Sequence, residues 1–372
     1  MNAFEARRAR LYDWMALEGV ALAMFEDFEG RRDPSLRWLT GQPGDALLFL
    51  SLDKQSLLVP WDINMAFLYA KADVIIPYAE FERQPIEALR TAVELFKIPF
   101  GSRVEIPTVT PYPVFLRYVE ALSDFDVLCR NNGIQEAAQQ LRAIKDEEEI
   151  RIYRKAADIT NTVIGLLEEN ILSGALKTEA DVALFIETEG RRQGCEGTGF
   201  ETLAAGPARS FGIHAFPSYT GGPFAVPGMS ILDFGLKYSG YTTDVTLTFA
   251  RGALSSRQEK MLSLTEKAYK LALAMVQDGV FARDVAVSVD TLFGKSKKSM
   301  PHGLGHGIGL EAHEAPAIRS RPDNTWQLKP GMIFTLEPGL YDPILGGCRL
   351  ENDILLSDRG VEVLTNARII RF

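Results

Sequence analysis

The stretch HGLGHGIGLEAHE, residues 302–314, constrains this chain more than any other. It holds three of the four histidines, His302, His306 and His313, with glycine at 303, 305, 307 and 309. That much glycine opposes a helix. The HExxH pattern, which sets two histidines on one helical face, is missing, and so is the GxGxxG of a dinucleotide loop. Glycine alternating along a strand marks a place where a ligand or another part of the chain approaches the backbone closely. The predicted setting is a tightly packed strand that presents histidines. A lone histidine there would ordinarily serve packing or a turn; three together point to chemistry.

Two acid-bearing strand pairs flank this stretch in sequence. Met229–Phe234 is an apolar run carrying Asp233, and Tyr241–Phe249 alternates, with Asp244, Thr246 and Thr248 on one face. A tight hairpin with Tyr238-Ser239 at its tip sets Asp233 opposite Asp244. Met332–Glu337 is stopped by Pro338-Gly339, and Cys348–Leu356 carries Arg349, Glu351 and Asp353 on one face. A loop over Pro338–Gly347 brings Glu337 to Glu351. Taken singly, such acids are solvated strand ends. Two facing carboxylates in a half-buried sheet repel each other and need a cation or a proton between them. Four carboxylates with imidazole suit two divalent ions, and this donor set favours Mn²⁺, Co²⁺, Fe²⁺ or Zn²⁺ over copper. Such ions, about 3.5–4 Å apart, share a water and lower its pKa towards ~7, which is hydrolytic chemistry on an acyl or phosphoryl bond.

The rest of the chain frames these elements. Ala46–Leu50, Ser56–Pro60, Val74–Pro77 and Arg103–Ile106 read as strands, with a helix over Gln84–Lys97, which makes the first third α/β. Asn131-Asn132-Gly133 is a turn signal and sets the boundary between domains 1–133 and 134–372. Tyr153, Ala156, Ala157, Thr160, Val163, Ile164 and Leu167 line one helix face. The charged run Lys145–Glu149 ahead of it reads as a solvated face, its acids suited to the helix N-terminus. Thr178 with Asp181, and Ser255 or Ser256 with Gln258 or Glu259, look like capping boxes; Gly279 closes the last of these helices. Strand signals dominate from Met229 onward. The second domain is therefore α+β, helices covering a largely antiparallel sheet. With 372 residues a large core is available, and the 3 cysteines are too scattered for a disulfide framework or a thiolate zinc site. A net charge of −9 argues against a nucleic-acid partner. No run approaches the ~18 apolar residues of a membrane span, and MNAFEARRARLYDWM lacks the apolar core of a secretory signal. The expectation is a cytoplasmic chain with no membrane partner.

These motifs resemble the metallopeptidase family with the pita-bread fold, which includes aminopeptidase P, prolidase, methionine aminopeptidase and creatinase. ILDFG, GYTTDVTLTF, HGLGHGIGLEAHE, TLEPGLY and GGCRLENDILL resemble its five catalytic signatures, in the same order. LRAIKDEEEI (141–150) resembles the segment that leads into its catalytic domain, and RWLTG (37–41) a motif of the creatinase-type N-terminal domain. The resemblance implies a pita-bread catalytic domain, helices on a curved antiparallel sheet, behind a smaller α/β domain. It implies five metal ligands: Asp233, the bridging Asp244, His306, Glu337 and the bridging Glu351. It makes Glu337 the proton shuttle and His313 the neighbour of the scissile carbonyl oxygen. His214 and His302 lie beside the substrate, and Arg349 supports the ligands. Two divalent ions are implied, Mn²⁺ foremost, with Co²⁺, Zn²⁺ or Fe²⁺ as alternatives.

The intact ligand set and the N-terminal domain resemble the prolidase and aminopeptidase P branch. That branch implies cleavage of the Xaa-Pro bond at the N-terminus of dipeptides or short peptides by a metal-bridging hydroxide, in a homodimer. The alternatives are a creatinase-like metal-independent amidinohydrolase, which has no need of the ligands, and a non-catalytic peptide-binding module. Leu247, where the family often has Arg, and Ile213, where it usually has Pro, depart from the pattern near the substrate.

Overall fold

The computed structural model describes residues 2–372. The chain divides into two compact units, one ending at Leu141 and the other running from Arg142 to Phe372.

The first unit is built on a six-stranded sheet in the spatial order Val74–Ile75, Ser56–Pro60, Ala46–Ser51, Val20–Asp27, Arg103–Glu105, Asp126–Leu128. Its middle pairings are antiparallel and its outer ones parallel. Apolar residues of the sheet, among them Leu22, Met24, Phe49 and Val104, pack with Leu89, Ala92 and Val93 of the helix Pro85–Leu95. The expected α/β character and strands are present. Val20–Asp27, near the middle of the sheet, escaped the sequence reading because its residues are buried with almost no alternation.

The second unit stacks helices on largely antiparallel sheets. One sheet runs Ile369–Arg371, Val245–Arg251, Gly228–Phe234, Leu203–Ala205. The helix Glu147–Leu172 covers it, Val163, Ile164 and Leu167 clustering with Leu232, Phe234, Leu247 and Phe249. The other sheet runs Glu314–Ile318, Gly305–Gly307, Ile333–Leu336, Asn352–Ser357, Gly360–Val363. Here Leu262 and Ala268 of Ser256–Met275 and Val285, Val289 and Phe293 of Ala282–Lys295 pack with Phe334, Leu336 and Ile354. Burying each large aliphatic side chain contributes about 1.5–3 kcal/mol. The apolar strand faces are thus committed to helices, and the alternate, acid-bearing positions are left to the other face.

Local signals settle the helix starts. Thr178 and Asp181 form a reciprocal capping box, as do Ser255 and Gln258. The helix after Ser255 ends at Met275, where Val276 takes extended backbone, rather than continuing to Gly279. The run Lys145–Glu149 is not a solvated face. Asp146 and Glu149 form a capping box, and Lys145 and Glu149 are buried. Lys145 Nζ lies 3.3 Å from Glu314 Oε2, and Glu149 accepts a 2.9 Å bond from the Tyr241 hydroxyl. Partners brought from far along the chain make that burial tolerable. No helix among the described residues is long and apolar enough to cross a membrane.

Candidate metal centre

The first acid pair lies on a hairpin whose register differs from the sequence expectation. Tyr238 pairs with Tyr241, so the tip is Ser239-Gly240 and not Tyr238-Ser239. Both tip residues have positive φ, 49° and 88°. A two-residue turn of that kind matches the right-handed strand twist, and glycine in its second position takes it without strain. In the same register Asp233 faces Thr246, not Asp244. Because side chains alternate with period 2, a two-residue shift keeps Asp244 and Thr246 on one face.

The second pair is joined by a hairpin of Gly339–Asp342 with Gly346–Arg349 where a loop was expected. Leu336 faces Asn352 and Gly339 faces Arg349, which carries Glu337 opposite Glu351. The two strand pairs meet at a bridge between Thr246 and Glu351, where Glu351 N–H donates to the Thr246 carbonyl at 3.1 Å. Thr246 Oγ1 donates to Glu351 at 2.7 Å and accepts from Arg349 Nε at 2.9 Å. Both acid pairs thereby reach one place.

His306 enters from the glycine-rich strand Gly305–Gly307. A Cβ on Gly305 would lie 2.0 Å from the Thr335 carbonyl oxygen, and one on Gly307 1.9 Å from that of Ala315. Neighbouring backbone on either side therefore excludes any other residue. His306 Nδ1 pairs with the Gly307 carbonyl at 3.2 Å, which leaves Nε2 as the free lone pair. That nitrogen lies 3.7 Å from Asp244 Oδ2 and 3.6 Å from Glu337 Oε1. Atoms of Asp244, His306 and Glu351 that could act as ligands all lie within 4.8 Å of one another.

Arg349 is buried and organises the rest. It pairs with Asp233, and its Nη1 donates 2.7 Å to the Tyr341 hydroxyl and 3.3 Å to the Ile213 carbonyl. The Tyr341 hydroxyl lies 2.9 Å from His302 Nε2, while His302 Nδ1 lies 2.8 Å from the Gly303 carbonyl. Because Nδ1 faces a carbonyl, it carries the proton, and Nε2 accepts from Tyr341. The ring of His313 stands 4.0 Å from that of His306, centroid to centroid. His214, at an exposed turn, completes the wall. All nine residues singled out in the sequence line a cavity of about 420 Å³.

The electrostatics are those of a cation site. Burial, then the neighbouring Glu351, pushes Asp244 and Glu337 well above the usual carboxylate range. Burial and Asp233 push Glu351 up to about 7. Burial, then His313, lowers His306 to about 3, so its imidazole is neutral near pH 7. Among the described residues Asp233 Oδ1 is buried with no hydrogen-bond partner. Repelling carboxylates, an orphaned carboxylate oxygen and an imidazole lone pair aimed at them fit divalent cations.

Three contributors were not assigned from sequence. Thr246 and Tyr341 join Arg349 to Glu351 and His302, and buried Asp353 accepts the Asp244 N–H through both oxygens at 3.3 and 3.2 Å. Strand alternation exposed Thr246 and Asp353 as polar residues on the right face, but nothing in the sequence named their partners. Leu247 packs in the apolar cluster on the opposite face of its strand.

Helices layered on antiparallel strands around side chains that could hold a metal ion fit a metallopeptidase of the pita-bread type. Residues 151–358 match the Metallopeptidase family M24, and the chain belongs to that family, in its prolidase and aminopeptidase P branch. The chain is similar to the Xaa-Pro dipeptidase of Pyrococcus horikoshii, 29% identical over 304 residues, which span 79% of this chain and 84% of that one. It is 34% identical to the Xaa-Pro dipeptidase of Pyrococcus furiosus over 235 residues, 62% of this chain and 66% of the relative. Among solved structures, the X-Pro aminopeptidase of Thermotoga maritima superposes with a TM-score of 0.83 at 25% identity, covering 98% of this chain and 99% of the other. The Xaa-Pro dipeptidase of Bacillus anthracis gives 0.85 at 25% identity, over 100% of each chain. Family membership implies divalent metal ions.

Proposed function

We propose that the chain cleaves the Xaa-Pro bond at the N-terminus of dipeptides or short peptides, with Asp233, Asp244, His306, Glu337 and Glu351 holding two divalent ions, Mn²⁺ foremost. The observation that carries this reading is the convergence of His306 Nε2 on Asp244 and Glu337, beside Glu351, at 3.6–3.7 Å. Those spacings are too long for hydrogen bonds and suit donors that share a cation. When bound, the ions acidify water at the site and draw charge from the acyl oxygen. Glu337, held at high proton affinity, takes the proton of the attacking water and delivers it to the departing proline nitrogen. His313 stabilises the carbonyl oxygen as charge develops there. His302, locked between Gly303 and Tyr341, and His214 at the cavity wall orient the ends of the substrate. Arg349 keeps Asp233 aimed through its ion pair.

The test is hydrolysis of a matched Xaa-Pro dipeptide and Xaa-Pro-Xaa tripeptide after chelation and again after adding Mn²⁺ or Co²⁺, with metal content measured on the same sample. Two ions per chain and metal-dependent turnover of at least one peptide are expected. Absence of turnover with both sinks the reading, and the preferred peptide separates a dipeptidase from an aminopeptidase.

We also propose a homodimer. Trp61, Phe67, Leu68 and Tyr69, on and beside the helix Ile63–Tyr69, are 52%, 85%, 64% and 52% exposed, and such apolar clustering on a surface marks an association site. The free thiols Cys129, Cys195 and Cys348 suit a reducing, cytoplasmic setting.

A further inference from the structure

The catalytic unit carries a second, separate pocket of about 220 Å³. Its floor is Met261, Leu264, Leu340 and Leu345, and its rim is Arg257, Lys260 and Lys298. In a chain of net charge −9, three cations over an apolar floor run against the average. One carboxylate, Asp342, answers them, 3.9 Å from Arg257 and 3.8 Å from Lys298. Three cations against one carboxylate leave the rim positive.

The two walls explain where the pocket could act. Arg257, Lys260, Met261 and Leu264 share one face of the helix Ser256–Met275, at i, i+3, i+4 and i+7. Leu340 and Leu345 belong to the hairpin formed by Gly339–Asp342 and Gly346–Arg349. Gln258 Nε2 ties that hairpin to the helix through the Leu345 carbonyl at 3.0 Å. The same hairpin bears Tyr341 and Arg349, which hold His302 and Asp233 in the metal centre. A ligand wedged between helix and hairpin therefore pushes on the strands that aim the site.

We propose that this pocket binds a small apolar carboxylate, of the size of a medium-chain fatty acid, and that its occupant changes peptide binding through the hairpin. An apolar body buries the Met and Leu floor while its single negative charge meets the rim. A free amino acid would bring an ammonium against three cations, and inorganic phosphate would leave the floor wet. The binding half stands by itself; the kinetic half rests on the peptidase reading.

The experiment titrates the full chain with octanoate, octylamine and inorganic phosphate by calorimetry, and repeats it with a Lys260→Glu, Lys298→Glu double variant and with Arg257→Gln. Saturable octanoate binding is expected, weakened at least tenfold by the double variant and at least threefold by Arg257→Gln, should the former fold poorly. No octanoate binding, or octylamine or phosphate binding as tightly, overturns the ligand class. Saturating octanoate should shift KM for peptide hydrolysis at least twofold in the parent chain and not in the variants. Binding with unchanged kinetics overturns the link through the hairpin. Failure of the peptidase reading looks different, since no peptide turns over while octanoate still binds.

Discussion

Asp244 shows how one residue couples charge and stability, and in the proposed function metal as well. It sits among Asp233, Glu337, Glu351 and Asp353, and burial plus Glu351 makes its charged form costly. Asp244→Asn should lower metal content and turnover together, by at least the roughly 10–100-fold that loss of a partner supporting a metal ligand costs. The same change removes a repelling charge, so with chelator present its thermal midpoint should equal or exceed the parent's. A lower midpoint would mean that Asp244 is structural. Glu351, raised to about 7, and the raised Asp244 and Glu337 bind more protons folded than unfolded. They favour folding below the ordinary carboxylate pKa, and that advantage is lost as pH rises through their folded values. His302 and His306, lowered to about 4 and about 3, act in the opposite sense, destabilising as pH falls from about 6.5. The two trends oppose each other below pH ~6.5, and only the carboxylates act above it. Melting of the chelated chain should therefore fall by a few degrees between pH ~6.5 and ~8. Metal-loaded protein should show no such drop.

Among the elements, the strand Gly305–Gly307 is the least tolerant. In an ordinary strand Gly→Ala gains about 0.5–1 kcal/mol. At Gly307 the new methyl would meet the Ala315 carbonyl oxygen at 1.9 Å, so Gly307→Ala should instead cost about 1–3 kcal/mol through forced backbone shifts. Melting and metal content should fall together, because His306 is the next residue. The loop before His313 depends on a buried ion cluster. Arg142 pairs with Glu314 and lies 2.7 Å from Glu311, and Lys145 adds to Glu314. Arg142→Met strips a buried carboxylate of its main partner, at a cost of about 3–5 kcal/mol less whatever Lys145 recovers. Adding Glu314→Gln should restore much of the lost melting temperature, and a strictly additive double variant would refute the pairing.

At the scale of the whole molecule, the exposed patch around the helix Ile63–Tyr69 bears on assembly. Light scattering should give a mass near twice the 41.2 kDa chain. Phe67→Asp with Leu68→Asp should return it to a single chain, and a monomeric parent would remove the homodimer from the reading. Much of the fold was legible because its signals are local. Thr178–Asp181 and Ser255–Gln258 cap where their spacing says, and the apolar face of Glu147–Leu172 is the buried one. Val20–Asp27 was not legible, since burial of nearly every residue erases the alternation that marks a strand.

The residue types of the candidate site and their order along the chain were set by sequence alone: Asp233, Asp244, His306, Glu337, Glu351, each within or directly beside a strand. The glycines at 305 and 307 announced close packing for the same local, steric reason. What the tertiary structure decided is which partner each residue meets. The hairpin tip moved to Ser239-Gly240 because the turn needs two residues at positive φ, and Asp233 came to face Thr246. The Thr246–Glu351 bridge, the Arg349–Tyr341–His302 chain and the burial of Lys145 and Glu149 all join residues far apart along the chain. No local pattern encodes such pairings, since they exist only once apolar faces have buried themselves against helices and left the acids to face one another.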